Sequence, residues 1–226
     1  MNILVLSDIH GRYDSINKII EAARSDGIKL DVIVVSGDIT HFGGLKEAIR
    51  ILRSLEILAA EKILFIPGNC DNPDLNSFGD EGPLSNIHKR VFRFRDYWFM
   101  GLGGSSPTPF NTLFELSDDE IGTALASMER KVGSGSEVIS VTHDPPNGTN
   151  LDLNRRGVHV GSRVIMDFIL RFKPLLHISG HIHEGRGQDR VGGTVLVNPG
   201  SASLGYYAII KASAGIVMVD LKKTGY

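Results

Sequence analysis

Cysteine is almost missing from the 226-residue sequence: Cys70 stands alone. An internal disulfide is therefore excluded, secreted disulfide scaffolds with it, and a reducing compartment is the expectation. An excess of one charge is missing too. Twenty-four basic residues against 26 acidic ones leave a net charge of -2, which removes any bulk pull toward nucleic acid or anionic lipid. Neither nucleic acid nor a membrane is expected as a partner. No apolar run approaches the roughly 18 residues of a membrane span. The N-terminal run, Ile3 to Leu6, stops at Asp8 and is too short for a signal peptide, so the expected location is the cytoplasm. With 42% apolar and 22% charged residues, the rest is ordinary globular composition. A chain of this length buries roughly 70% of its unfolded surface without cross-links.

Five short apolar runs punctuate the sequence: Ile3 to Leu6, Val32 to Val35, Ile63 to Ile66, Val138 to Val141 and Leu175 to Ile178. Runs of this length bounded by turn residues suit strands covered on both faces. The first three alternate with helical patterns. Ser15 to Arg24 repeats its apolar residues at Ile16, Ile19, Ile20 and Ala23, and Leu45 to Leu58 does so at Leu45, Ala48, Ile49, Leu52 and Leu55. Strand and helix in alternation predict a largely parallel sheet with right-handed crossovers. Beyond residue 85, Val91 to Phe94 and Tyr97 to Met100 predict a strand pair turning near Arg95 and Asp96. Further helices are expected over Ser117 to Lys131, where Ser117 and Glu120 form a capping box, and over Ser162 to Phe172. The tail, with a Gly192-Gly193 turn, reads as antiparallel strands. The expectation is one α/β domain over residues 1–226, with two packed mixed sheets and helices outside them. The stretches 101–115 and 144–161 are long and aperiodic, a property of functional or mobile loops.

The chemistry sits behind the strands. After the first run comes Asp8-Ile9-His10-Gly11, after the second Gly37-Asp38, after the third Gly68-Asn69-Cys70-Asp71. His143 follows the fourth, and Gly180-His181-Ile182-His183 the fifth. Ligands gather outside the carboxyl ends of strands, so these groups converge if the strands lie side by side. Gly37, Gly68 and Gly180 are expected to let the backbone turn sharply there. Carboxylates, imidazoles and one amide, with no thiolate needed, are the donor set of manganese, iron, cobalt, nickel or zinc. Seven donors are too many for one ion. Two ions with a shared carboxylate fit the count: Asp8, His10, Asp38 and His183 around one, and Asp38, Asn69, His143 and His181 around the other.

These blocks resemble, in order, the five signatures of the calcineurin-like metallophosphoesterases: DxH, GD, GNH followed by an acid, a lone His, and GHxH. They cover residues 8 to 183. The segments 107–115, 143–162 and 198–201 resemble an archaeal and bacterial branch related to cyclic-nucleotide phosphodiesterases. The resemblance implies the same ligand assignment and a two-sheet core flanked by helices. It also marks a departure, because Cys70 stands where the family usually carries a His taken to assist the leaving group. A thiol is a weak hydrogen-bond donor. His41, three residues after Asp38, is the expected replacement as proton source or phosphate contact, and Asp71 is the acid of the third block. His41, Cys70 and Asp71 are thus the catalytic candidates beside the ligands.

Two divalent ions, manganese favoured, predict hydrolysis of a small-molecule phosphate ester by in-line attack of a metal-bridging hydroxide. A phosphodiester or nucleotide-type substrate is preferred on the resemblance and on Cys70. A phosphomonoesterase or protein phosphatase, a nuclease, and a metal-poor interaction scaffold are the alternatives. Composition leaves a homo-oligomer open. Expected substrate contacts are Arg155 and Arg156 as a phosphate clamp, His159 beside a helix started by Ser162, and Asn198, Gly200 and Ser201 after a strand. His177, inside a strand, is expected to be a satisfied core histidine, and His88 a surface one.

Overall fold

The computed structural model describes residues 1–133 and 137–225. In chain order the elements are β1 (Asn2–Leu6), α1 (Tyr13–Ser25), β2 (Val32–Ser36), α2 (Leu45–Ser54), β3 (Lys62–Ile66), β4 (Asp80–Glu81), β5 (Leu84–Asn86), β6 (Arg90–Phe94) and β7 (Tyr97–Leu102). They continue with α3 (Asp118–Glu129), β8 (Glu137–Thr142), α4 (Arg163–Phe172), β9 (Leu176–Ile178), β10 (Gly187–Val191), β11 (Thr194–Asn198), β12 (Tyr206–Ser213) and β13 (Ile216–Lys223).

The strands form two sheets, ordered β13-β12-β1-β2-β3-β5-β4 and β10-β11-β9-β8-β7-β6. Each has a parallel centre and antiparallel edges: β1 runs with β2 and β2 with β3, while β12 runs against β1. In the other sheet β7, β8, β9 and β11 are parallel, while β10 and β6 run against their neighbours. The five apolar runs are therefore not side by side. Three lie in one sheet and two in the other, and convergence of their ends depends on how the sheets face each other.

Alternation along the strands explains the layers. Ile3, Val5, Val32, Val34, Leu64 and Ile66 point between the sheets, against Phe99, Ile139, Val141, Leu176, Ile178, Val195 and Val197. The intervening Leu4, Leu6, Ile33, Val35, Ile63 and Phe65 meet Ile16, Ile19 and Ile20 of α1 and Ala48, Ile51 and Leu52 of α2. On the far side Met100, Leu102 and Leu196 meet Ile121, Leu125 and Met128 of α3 and Ile165, Phe168 and Ile169 of α4. Both faces of every central strand are covered, which is why those strands read as unbroken apolar runs. Burying one such side chain stabilises by about 1.5–3 kcal/mol.

Helix α2 is shorter than its pattern suggests, because the chain tightens into a 3-10 turn over Leu55–Leu58 and leaves it at Ala59 with φ 52°. Its buried face is also rotated, with Ile51 in the core and Ile49 only half-buried. The Ser117–Glu120 capping box closes in both directions at the start of α3, and Ser162 caps α4 through Ile165 N. His177 lies wholly inside the protein, between Ser140 Oγ at 2.8 Å and Thr142 Oγ1 at 3.2 Å. His88 is half-buried rather than free on the surface. Its Nδ1 accepts a hydrogen bond from Gly103 N at 2.8 Å and its ring meets Phe114 edge-on, so it braces the start of the loop after β7.

Candidate metal centre

The carboxyl ends of β1, β2 and β3 face those of β8 and β9, and the polar residues behind all five meet in one cleft floor. A clasp between the sheets sets the geometry: His143 Nδ1 donates to Ser36 O at 2.7 Å, and within the second sheet Gly180 N donates to His143 O at 3.0 Å. The expected role of the glycines changes here. Only Gly37 has a left-handed backbone, with φ 102°, while Gly68 and Gly180 are needed for space. A Cβ on Gly68 would lie 2.1 Å from Asp38 Oδ1, and one on Gly180 1.8 Å from Ser7 Oγ. The sharp turns are taken by the functional residues themselves. Asp8, His10, Asp38 and His181 have φ of 54°, 49°, 49° and 64°, a region that costs a non-glycine residue about 1–3 kcal/mol and is found at functional sites.

One half of the floor is a cluster of Asp8, His10 and His183. Asp8 Oδ1 lies 3.3 Å from His183 Nε2 and 4.0 Å from His10 Nε2, and the two imidazole nitrogens are 3.3 Å apart. Asp38 Oδ2 completes it at 3.7 Å from His10 Nε2. The other half gathers on His143. Its Nε2 lies 2.9 Å from Asn69 Oδ1 and 3.4 Å from Asp38 Oδ1, and the ring of His181 stands edge-on at 5.1 Å between centroids. The two oxygens of Asp38 thus face different clusters.

The electrostatics suit cations. Burial alone would raise Asp8 and Asp38, yet His183 for the first and His143 for both hold these carboxyls below the ordinary range. Burial alone would lower His143, but the Asp38 charge and the Ser36 carbonyl lift it to about 10. Because Nδ1 is committed to Ser36, the additional proton sits on Nε2, between two oxygens that can only accept. Asp8 Oδ1 is buried without a hydrogen-bond partner among the described residues. A proton flanked by acceptors and a buried carboxylate oxygen that faces imidazole nitrogens without a well-aligned hydrogen bond mark two places where a divalent cation fits the donors.

The remaining candidates divide. His41 is exposed, with its ring 5.5 Å from that of His10, and His10, His41 and Cys70 bring their donor atoms within 4.8 Å of one another. Cys70 is buried. Burial and then the charge of Asp38 push its thiol up, so it is held protonated. Asp71 does not reach the cleft. It accepts from Ile39 N, Thr40 N, Thr40 Oγ1 and Gly68 N at 2.7–3.0 Å, tying the loop after β2 to the loop after β3. Burial and Asp38 lift it to about 6.

Among the expected substrate contacts, Arg155 and Arg156 line an open cleft of about 820 Å³ with Phe110, Asp144, His181 and His183. Arg155 Nε is paired with Glu184 at 2.6 Å. His159 is turned away, onto Asp152 at 2.7 Å. Asn198, Gly200 and Ser201 lie behind the floor rather than in it. Asn198 is fully buried and holds Ile182 O at 2.9 Å and Gly200 N, Gly200 packs on Arg186, and Ser201 Oγ donates to Asp8 O at 2.8 Å. They brace the loops that carry Asp8 and His181. Three polar residues near the cleft were not among the expected site residues: Asp144, beside His143, and the pair Thr112 and Glu115, which reaches Asn69 from the loop after β7. Their one sequence mark is the Thr112-x-x-Glu115 spacing, a capping-box pattern lying outside any helix.

Residues 1–185 match the calcineurin-like phosphoesterase family. The chain belongs to that family. It is similar over nearly its whole length to the uncharacterized protein MJ1162 of Methanocaldococcus jannaschii, with 34% identity over 97% of this chain and 96% of that one. In fold it resembles TT1561 of Thermus thermophilus, with a TM-score of 0.75 and 18% identity over 97% of each chain. It also resembles a dimetal phosphatase from Danio rerio, with a TM-score of 0.64 and 10% identity over 100% of this chain and 99% of that one. As a calcineurin-like phosphoesterase the protein is a phosphoester hydrolase that uses divalent metal ions. Among the described residues no helix is long and apolar enough to cross a membrane.

Proposed function

We propose that the protein hydrolyses a small-molecule phosphodiester or nucleotide-type phosphate ester with a pair of divalent cations, manganese foremost. The observation that carries this is Asp38, whose Oδ2 lies 3.7 Å from His10 Nε2 while its Oδ1 lies 3.4 Å from His143 Nε2. Asp8, His10, Asp38 and His183 would hold the first cation, and Asp38, Asn69, His143 and His181 the second. Cations bound there would supply Lewis acidity, to activate water and neutralise phosphoryl charge.

The side chains do the rest. The 2.7 Å bond to Ser36 O fixes His143 with Nε2 toward the cleft. Arg156, unlike Arg155, has no carboxylate partner in any described ion pair, so it offers its charge to the phosphate. Cys70, a protonated and weak donor, is poorly suited to drive off a leaving group, and His41, exposed beside His10, supplies that proton. The cleft of about 820 Å³ has room for a nucleotide-sized ester, and the preference for a diester rests on the resemblance and on Cys70. The lone cysteine supports a reducing cytoplasm. Paired assays of an aryl phosphodiester and an aryl phosphomonoester with manganese test the reading. Asp38→Asn and His181→Ala should each abolish turnover of the diester, and unchanged turnover refutes the mechanism.

A further inference from the structure

The side-chain amide of Asn69 can present either oxygen or NH2 to the cleft, and the size of the group does not decide between them. The protons around it do. Asn69 Nδ2 lies 3.0 Å from Thr112 Oγ1, which lies 2.6 Å from Glu115 Oε1. The same carboxylate oxygen accepts from Thr112 N at 2.8 Å and from Thr108 Oγ1 at 2.7 Å. Those bonds hold Glu115 below the ordinary range although burial works the other way. An ionised carboxylate only accepts, so the one hydroxyl proton of Thr112 is committed to Glu115. The hydroxyl has only lone pairs left for its other neighbour. The atom facing it must therefore be the NH2 group, which turns Oδ1 toward His143 Nε2 at 2.9 Å. A further acceptor of that NH2, Cys70 Sγ at 3.8 Å, is weak. Phe114 N donates to Asn69 O at 3.0 Å, so side chain and backbone of Asn69 are both tied to the same loop.

We infer that Thr112 is a positioning residue for the second cation: anchored on Glu115, it keeps the amide oxygen of Asn69, and not the NH2, directed at the space shared with Asp38 and His143. This rests on the two-cation reading of the site. An amide NH2 has no lone pair to offer a cation, so a rotated Asn69 is a lost ligand rather than a weaker one. Partners behind a metal ligand are worth about 10- to 100-fold in metal affinity. The relay also links the second cation to the loop that carries Phe110, which is 81% exposed at the cleft.

Calorimetric titration of the metal-free protein with Mn²⁺ tests this. Wild type should take up two ions. Thr112→Val, which keeps the shape and removes the hydroxyl, should weaken the second by about 10- to 100-fold and leave the first unchanged, and Thr112→Ser should restore wild-type binding. The melting temperature of each metal-free variant shows that it is folded, and Thr112→Ala serves if the valine variant is not. Two ions bound by Thr112→Val with wild-type affinities overturn the inference, as does a serine variant as weak as the valine one. A wild type that binds fewer than two ions overturns the two-cation reading itself, and the inference with it.

Discussion

Gly68 and Asp38 touch so closely that the α-carbon of the first is part of the wall behind the second: a Cβ on Gly68 would lie 2.1 Å from Asp38 Oδ1 and 2.2 Å from its backbone N. The carboxylate shared by the two clusters is thus set by the loop after β3 as well as by its own strand. Cys70 N seals the contact by donating to Asp38 Oδ1 at 2.8 Å. Gly68→Ala should therefore displace Asp38 and reduce manganese uptake without unfolding the protein. Gly193→Ala, where an added Cβ meets nothing within 4 Å, should leave uptake unchanged. Metal analysis after gel filtration checks both, and a Gly68→Ala protein with full metal content contradicts the account.

His177 makes stability depend on pH. Thr142 Oγ1 spends its proton on Asp144 O at 2.6 Å and so accepts from His177 Nε2, while Ser140 Oγ donates to Nδ1. The ring is neutral, and burial lowers it from 6.5 to about 3. Between those values the unfolded chain binds a proton that the folded one refuses. Stability therefore falls as pH drops through that window, by up to about 1.4 kcal/mol per pH unit from this group. His177→Leu should be less stable than wild type at pH 8, by about 0.5–1.5 kcal/mol for each of the two hydrogen bonds lost, with the gap narrowing at pH 5. Urea denaturation at both pH values measures it, and a constant gap contradicts it.

The strand ends were legible for a physical reason. Strands covered on both faces are apolar throughout, so the carboxylate, amide and imidazole groups that follow them within a few positions, Asp8, Asp38, Asn69, His143 and His181, stand out and share one end of the sandwich. Which sheet each strand joins was not legible, because a buried run has the same pattern in either. Direction was not legible either. Asp71 follows Asn69 and Cys70 in the chain, and Asn198 and Ser201 follow a strand, yet the backbone turns all three side chains inward as braces. Thr112 escaped because its effect on Asn69 crosses 43 residues of chain and leaves no period.

Arg155 and Arg156 are adjacent in sequence and unequal in charge environment. With Arg155 paired to Glu184 at 2.6 Å, Arg156→Ala should raise KM for the diester about tenfold, the loss of one charge-assisted hydrogen bond. Arg155→Ala should change it much less. Steady-state kinetics on the two variants decide the matter, and equal effects speak against an Arg156 phosphate contact.

His41 and Cys70 are separated by leaving group. His41→Ala should lower kcat for an alkyl leaving group by about 100-fold and affect an activated aryl leaving group little, since the latter departs without a proton. Cys70→Ser should alter neither profile in that way. A His41→Ala enzyme with the same loss on both substrates removes His41 as the proton source.

The bridging position of Asp38 is tested most directly by counting manganese per chain, by calorimetry with elemental analysis, in wild type and Asp38→Asn. Wild type should hold two ions, and the variant should lose tight binding of the pair. A wild type holding one ion or none, or an Asp38→Asn protein that still binds two with unchanged affinity, contradicts the bridging position of Asp38.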